Sequence, residues 1–452
     1  MAPGPVDGFR VPFLSPRVRA YIRVLPGVAR DPLGYLLWAR ETYGDVVALS
    51  PGRIHLISHP DGVKHVLQDH HTNYCKGRRY KGITKLIGEG LLTSDGEVWK
   101  KQRRLSQPAF RTAQVAAMVN STASLAVKMA EDWRAAALRG ESVDAFAATV
   151  RLSMQANMAN LFDDTPEVID ELGEILARAE REINLISDGL GVKIPDYLPG
   201  QRRLRKARAE IDQHIYRMIR RCRQGSVRPE SLLAQLVHHK DEVEGDAMTD
   251  EQVRDQLVTF FNAGYDTSTA AVFWTIYLLS LHPEEQEAVR REAISVLGGR
   301  HPTHSDAAAL PATTRAIQES MRLYPPGWLF ARESVQADSI MGYHIPAGST
   351  VMLSPYVTHR HPEFWNAPGE FRPARFLPEA AAARHKMAYF PFGAGPRQCI
   401  GGGMAMAALP LIVATIARAV RWQLSPGQDV HPTVRIVLKP AGAVWFQLTA
   451  AT

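Results

Sequence analysis

The sequence is poor in cysteine: 452 residues carry three, Cys75, Cys222 and Cys399. An odd, sparse set excludes a disulfide framework and suits a reducing compartment. It also limits a metal to one sulfur ligand unless distant cysteines converge. An apolar leader is missing. Arg10, Arg17, Arg19 and Arg23 interrupt the N-terminal stretch, so no signal peptide is expected. Apolar runs of membrane length are missing too. Thr267 to Pro283 is uncharged for 17 residues and Ile400 to Ala417 for 18, while a spanning helix needs roughly 20. The first run ends a longer helix that contains Asp255 and Asp266. The second opens on Gly401, Gly402 and Gly403 and carries Pro410. Both are expected as buried core helices, with no transmembrane segment. There is no internal repeat, no long linker, and no G-x-G-x-x-G after a strand, which argues against a flavin or nicotinamide site.

What is present is ordinary for a globular protein. Hydrophobic residues make up 45% and charged residues 22%, which excludes a disordered or collagenous chain. The net charge is +7, and it is local. Residues 201–223 hold nine basic and two acidic residues. Leu204, Ala207, Ile211, Ile215 and Met218 recur there at helical spacing, which predicts an amphipathic helix with a basic outer face. Cys222 continues its apolar stripe. Such a helix suits nucleic acid, an anionic membrane, an acidic protein, or plain solvent. No aromatic interleaving or finger spacing supports nucleic acid. A second cluster, Trp99 to Arg111, holds Lys100, Lys101, Arg103, Arg104 and Arg111 and no acid.

The pattern from about Arg30 to His304 is mostly helical, with a short hairpin around Val46 to Ser58. The longest helix is predicted over Asp250 to Leu281. Thr249 and Gln252 form a capping box at its start, and Pro283 sits past its end. It would be roughly 48 Å long. Its middle is apolar on all sides, so it should cross the core. Helices are predicted over Glu284 to Leu297, Ala309 to Leu323 and Ile400 to Val420. Strand and turn signals fill Trp328 to Leu353. Pro355 to Gly395 reads as irregular, and Val434 to Leu448 as two strands around Pro440-Ala441-Gly442. The fold class is mainly α with a smaller β portion.

The most informative segment is Phe390-Pro-Phe-Gly-Ala-Gly-Pro-Arg-Gln-Cys399-Ile-Gly401. Gly393 and Gly395 let the backbone turn tightly and approach a flat ligand. Cys399 falls just before an apolar helix, whose dipole and first amides favour thiolate over thiol. Arg397 suits a ligand carboxylate. This F-G-x-G-x-R-x-C-x-G pattern resembles the haem-binding loop of the cytochrome P-450 family, the haem-thiolate monooxygenases. There the cysteine is the axial ligand of haem iron and favours O–O cleavage.

Further motifs match that family in chain order. Ala263-Gly264-Tyr265-Asp266-Thr267 fits its A/G-G-x-D/E-T pattern on the long helix. By resemblance Thr267 holds a proton-donating water, Asp266 relays protons from solvent, and Gly264 gives a diatomic room beside the helix. Glu319-Ser-Met-Arg322 fits E-x-x-R, and Pro373-Ala-Arg375-Phe376 supplies its arginine partner. The resemblance makes Glu319, Arg322 and Arg375 a structural ion cluster. Trp99-Lys-Lys-Gln-Arg103 fits W-x-x-x-R. Trp99, Arg103, Arg332 and Arg397 are then expected around the haem propionates, with Phe392, Gly393, Ala263 and Gly264 also against the cofactor.

The resemblance implies one domain over residues 1–452, with haem b (iron protoporphyrin IX) between the long helix and the helix after the cysteine loop. It implies a cytoplasmic, monomeric monooxygenase that inserts one atom of O2 into a C–H bond of a lipophilic substrate of terpenoid, steroid or fatty-acyl type. Phe260, Asn262, Trp328, Leu329 and Phe330, with the loop around Tyr80 to Leu92, are expected to wall the pocket. Electrons are expected from a separate ferredoxin and an NAD(P)H-dependent reductase, docking on the basic Trp99–Arg111 helix. A peroxide-using peroxygenase on the same fold and a non-catalytic haem sensor are the alternatives. Retention of Asp266 and Thr267 speaks against the peroxygenase.

Overall fold

The computed structural model describes residues 31–450 apart from 51–52, 78–79, 163–170, 176–177, 180–198 and 230. The arginine-interrupted N-terminal stretch, expected to hold no signal peptide, lies outside the described residues. The chain packs as two compact units. One comprises Met1–Arg78, Gln318–Cys399 and Ile436–Leu438, and the other Arg79–Ile317, Ile400–Arg435 and Lys439–Thr452. The secondary structure is mainly helical.

The first unit is built on a five-stranded sheet. Its order is Val46–Ser50, Ile54–Ile57, Thr350–Leu353, Phe330–Ser334 and Tyr74–Cys75. Ile54–Ile57 runs parallel to Thr350–Leu353, and the other pairs are antiparallel. Successive side chains on a strand point to opposite faces, and the core divides accordingly. Val46, Ile57, Val351 and Leu353 pack on one side with Phe390. Val47, Leu56 and Met352 pack on the other with Leu36, from the helix Pro32–Tyr43. Both faces are covered, which is why these strands read as near-continuous apolar runs. Pro355 to Gly395 is irregular, broken by short helical turns. Cys75 sits on the edge strand, its thiol 3.6 Å from the Glu333 carbonyl oxygen.

The second unit is a helical assembly around Asp250–Leu281. The Thr249–Gln252 capping box forms, with Gln252 N–H donating to Thr249 Oγ1 at 3.2 Å and Thr249 N–H to Gln252 Oε1 at 3.0 Å. Helix Ala145–Leu161 packs along it, and Gly402–Ala419 packs along Thr112–Leu138. A three-stranded antiparallel sheet joins Ser142–Asp144, Trp445–Ala450 and Val420–Leu424. The strands that flank Pro440-Ala441-Gly442 therefore do not form a closed hairpin, because Trp445–Ala450 pairs with these two distant strands instead. The stretch Tyr80–Leu92, expected as a loop, contains the helix Lys81–Ile87, whose Leu86 and Ile87 are buried in the helical core. Among the described residues one helix, Gly402–Ala419, is long and apolar enough to cross a membrane. Its second half, Ala408–Ala417, is buried within the fold.

The helix Pro199–Arg223 has the apolar stripe its spacing predicts. Leu204, Ala207, Ile211, Ile215, Met218 and Cys222 are buried, and Arg202, Arg217 and Arg220 are exposed.

Candidate active site

Each unit carries a share of the residues singled out above. In the first, the cysteine loop folds back on itself. Gly393 and Gly395 adopt φ of +69° and +67°, a region that costs any other residue strain. A Cβ on Gly395 would lie 1.9 Å from the Leu67 carbonyl oxygen, so glycine is required there on space as well. Gly393 N–H donates to Phe390 O at 3.0 Å and Cys399 N–H to Phe392 O at 2.9 Å. The turn leaves Phe392, Gly393 and Arg397 half-buried. Cys399 is exposed and outside any disulfide. The ring of Phe330 covers the loop, 3.8 Å from where a Gly393 Cβ would sit and 6.1 Å centroid to centroid from Phe390. Trp328 and Leu329 pack on the sheet core.

Arg332 is buried on the strand Phe330–Ser334, and its Nη1 donates to the Ala331 carbonyl at 2.9 Å. Among the described residues no carboxylate pairs with it. A buried guanidinium without a counter-anion is costly, so this position asks for an anionic group from outside the chain.

Glu319, Arg322 and Arg375 meet in the same unit. Glu319 and Arg322 are fully buried. Arg322 Nε and Nη2 donate to Glu319 Oε2 and Oε1 at 2.7 and 2.8 Å, a bidentate pair. Arg375 Nε reaches Glu319 Oε1 at 3.1 Å. The remaining donors of Arg322 bind the carbonyls of His359, Pro368 and Glu370 at 3.0, 2.7 and 2.9 Å. Two charged side chains thus hold the irregular 359–375 stretch. A residue the sequence reading missed extends this support. His359 is fully buried, and its Nε2 accepts from Phe390 N–H at 2.9 Å, fixing the start of the cysteine loop. Burial, then the Arg322 and Arg360 charges, hold His359 well below the usual imidazole range, so it stays neutral. A single histidine without a local pattern gave no signal for this in the sequence.

In the second unit, the long helix is buried through Val253–Phe261 and again from Thr269 to Ser280. The exception is the motif. Ala263 is exposed, and Asn262, Gly264, Thr267 and Ser268 are half-buried. Ala263 and Thr267 are four apart and share a face. Thr267 Oγ1 donates to the Ala263 carbonyl at 2.6 Å, which leaves its lone pairs to accept from another donor. Asp266, expected to relay protons from solvent, is buried and ion-paired to Lys439 Nζ. The Lys439 side chain is 21% exposed. Gly264 lies beside Asn157. A Cβ there would meet Asn157 Oδ1 at 2.5 Å, and Asn157 Nδ2 donates to the Phe261 carbonyl at 2.9 Å. Asn262 Nδ2 donates to Val258 O at 2.8 Å, within its own helix. Phe260 is buried edge-on against Phe110, with ring centroids 5.5 Å apart.

Trp99 and Arg103 lie half-buried on one face of the helix Gly96–Ser106, and Arg103 Nε donates to Gln107 Oε1 at 3.0 Å. The other four basic side chains of that cluster are ion-paired, with Lys100, Arg104 and Arg111 exposed and Lys101 half-buried. Lys101 Nζ pairs with Glu244 and Asp246 at 2.6 and 2.8 Å, Arg104 with Asp241 and Glu244 at 2.9 and 3.3 Å, and Arg111 with Glu242 at 3.5 Å. Lys100 pairs with Glu97 at 2.7 Å. The Arg104 guanidinium and the Val243 amide hold the Asp241 carboxyl below the usual carboxylate range. An acidic turn more than a hundred residues away in sequence thus pairs with three of the five basic side chains.

The profile of the cytochrome P-450 family matches residues 21–445. The chain belongs to the cytochrome P-450 family. Cyclooctatin synthase of Streptomyces melanosporofaciens is 32% identical to this P-450 over 417 residues, covering 91% of the chain and 90% of that protein. Cyclooctat-9-en-7-ol 5-monooxygenase of the same organism is 34% identical, with 88% and 86% covered. Pentalenene oxygenase of Streptomyces avermitilis is 28% identical, with 94% of each covered. The crystal structure of the heme domain of cytochrome P-450DA superposes with a TM-score of 0.88 at 24% identity and 98% coverage of both chains, a likeness of fold. This P-450 is accordingly a haem-thiolate monooxygenase that uses O2, acts on lipophilic substrates and takes electrons from a redox partner.

The residues present fit that cofactor. The first unit offers an exposed thiol on a glycine-shaped turn and a buried arginine that no carboxylate among the described residues pairs with. The second offers an open face at Ala263 and Thr267 on an otherwise buried helix. It also offers the partly exposed apolar run Met404 to Ala407 at the start of the helix Gly402–Ala419. A flat apolar group with two carboxylates and an iron seeking one thiolate matches these features.

Proposed function

We propose that this P-450 hydroxylates a cyclic terpenoid, with electrons delivered by a separate ferredoxin and its NAD(P)H-dependent reductase. The observation that carries the substrate class is the terpenoid chemistry named in its relatives, those of cyclooctatin and pentalenene. The apolar character of Phe260, Trp328, Leu329 and Phe330 supports it, and Asn262 Oδ1 is left to orient one oxygen function. The 452 residues act as one catalytic domain, a reading supported by a family match that runs through both compact units.

Cys399 would hold the haem iron through its thiolate. Arg332, Arg397, Arg103 and Trp99 would hold the haem propionates, with Arg332 the strongest case because, among the described residues, no carboxylate pairs with its buried charge. Phe392, Gly393, Ala263 and Gly264 would pack against the haem. Bound haem supplies the redox chemistry that splits O2. The chain's own residues supply protons and order. Thr267 Oγ1, its hydrogen committed to the Ala263 carbonyl, accepts from a water and fixes it. Asp266 passes a proton to that water through a carboxylate oxygen. Lys439 holds the carboxylate in place and links it to solvent by the exposed part of its side chain.

A screen of cyclic terpenes, steroids and fatty acids for a substrate-induced spin shift tests the substrate class. A shift with terpenes, followed by NADPH-dependent formation of a product carrying one atom from labelled O2, is the expected result. A shift with fatty acids or steroids alone overturns the terpenoid reading.

A further inference from the structure

A second cluster of ligand-type side chains lies in the first unit and has no part in the reaction. His65, His70 and Asp338 each offer one ligand atom, and the three atoms lie within 4.8 Å of one another. The backbone makes this possible. Residues five apart on an α-helix point about 140° apart, so His65 and His70 would diverge. Here His65–Asp69 is a π-helical turn, closed by His70 N–H donating to His65 O at 2.8 Å. The wider turn stacks the two imidazoles at 4.0 Å with 10° between planes. Such single π turns are rare and concentrate at functional sites.

The carboxylate is held ready. Asp338 Oδ2 lies 2.9 Å from His65 Nε2 and accepts from the Tyr74 hydroxyl at 2.7 Å, while Oδ1 accepts from Ser339 N–H at 2.7 Å. Hydrogen bonds of this kind fix ligand orientation around protein-bound metals. Asp338 and His65 are half-buried and His70 is exposed. One side of the cluster therefore faces solvent.

We infer that His65, His70 and Asp338 bind one divalent transition-metal ion of the zinc class. Two imidazoles and one carboxylate carry a net charge of −1, with nitrogen donors that suit zinc, nickel or copper(II). Calcium and magnesium ask for more oxygens. A tetrahedral ion with bonds of about 2.0–2.1 Å sets its donors roughly 3.3 Å apart. Reaching that spacing takes side-chain movement: exposed His70 closes in, and His65 Nε2 and Asp338 Oδ2 open from 2.9 Å as the proton between them is released. A water completes the set. The same turn backs the cysteine loop, since the Leu67 carbonyl is what a Gly395 Cβ would strike. Metal binding stiffens that turn.

The test is calorimetric titration of ZnCl2 into chelator-stripped holoenzyme. The expected result is one tight equivalent, weakened at least about tenfold in His70→Gln and about 10–100-fold in Tyr74→Phe. His431→Gln, an exposed histidine beside Asp429, should bind as the parent does. His70 is exposed, so its variant should keep the parent's carbon monoxide spectrum and melting temperature. Amide exchange across residues 65–75 should slow on adding zinc. Absence of a saturable equivalent overturns the inference. So does His70→Gln binding as tightly as the parent, or zinc uptake that leaves exchange at 65–75 unchanged. None of these readings depends on the terpenoid assignment.

Discussion

Two ionic networks in this P-450 have similar bond lengths and opposite surroundings. Glu319, Arg322 and Arg375 join in the first unit, with Glu319 and Arg322 sealed from water. Lys101 and Arg104 join Asp241, Glu244 and Asp246 in the second, where Asp241 is buried but Lys101 is 24%, Arg104 39%, Glu244 50% and Asp246 57% exposed. The buried network also spends its spare donors on carbonyls of an irregular chain segment. The surface network joins a helix to a turn that already has its own backbone hydrogen bonds. Breaking a buried pair strands a charge. Breaking an exposed pair hands both charges to water. Asp266 and Lys439 stand between these cases, a buried acid paired to a partly exposed base.

Breaking each network in turn should rank them. Arg322→Ala leaves Glu319 charged and buried and should cost about 3–5 kcal/mol of stability, measured by chemical denaturation, with loss of bound haem as the 359–375 stretch loosens. Thr267→Ala should leave stability near the parent's but lower product per NADPH consumed by about tenfold or more, with peroxide accounting for the difference. Lys439→Met should lower product formation by a smaller factor and increase its solvent isotope effect, because Asp266 loses its route to solvent. Lys101→Glu should leave the melting temperature unchanged and slow reduction by ferredoxin less than twofold. A tenfold slowing would mean that the helix docks the donor despite its internal pairs.

The motifs were legible because each is local. Glycine at positive φ, a cysteine before an apolar helix, E-x-x-R at one helical turn and the Thr249–Gln252 cap all fall within a dozen residues. What was not legible is contact between segments far apart in sequence. Nothing near Trp99–Arg111 announces the acidic turn at 241–246. Nothing near Asp266 announces Lys439, and nothing local marks His359 as the support for Phe390. The π turn at His65 escaped for another reason. Its sequence is compatible with an α-helix, and only its packing selects the wider turn. Nothing near Gly264 in sequence announces Asn157, which packs beside it.

The central claim is that Cys399 supplies the thiolate of a haem monooxygenase. Adding carbon monoxide to the reduced, purified protein tests it directly. The parent should give the red-shifted Soret band of a thiolate-ligated haem, and Cys399→Ser should bind haem without that band. A parent protein lacking the band, or a serine variant that keeps it, would contradict the claim.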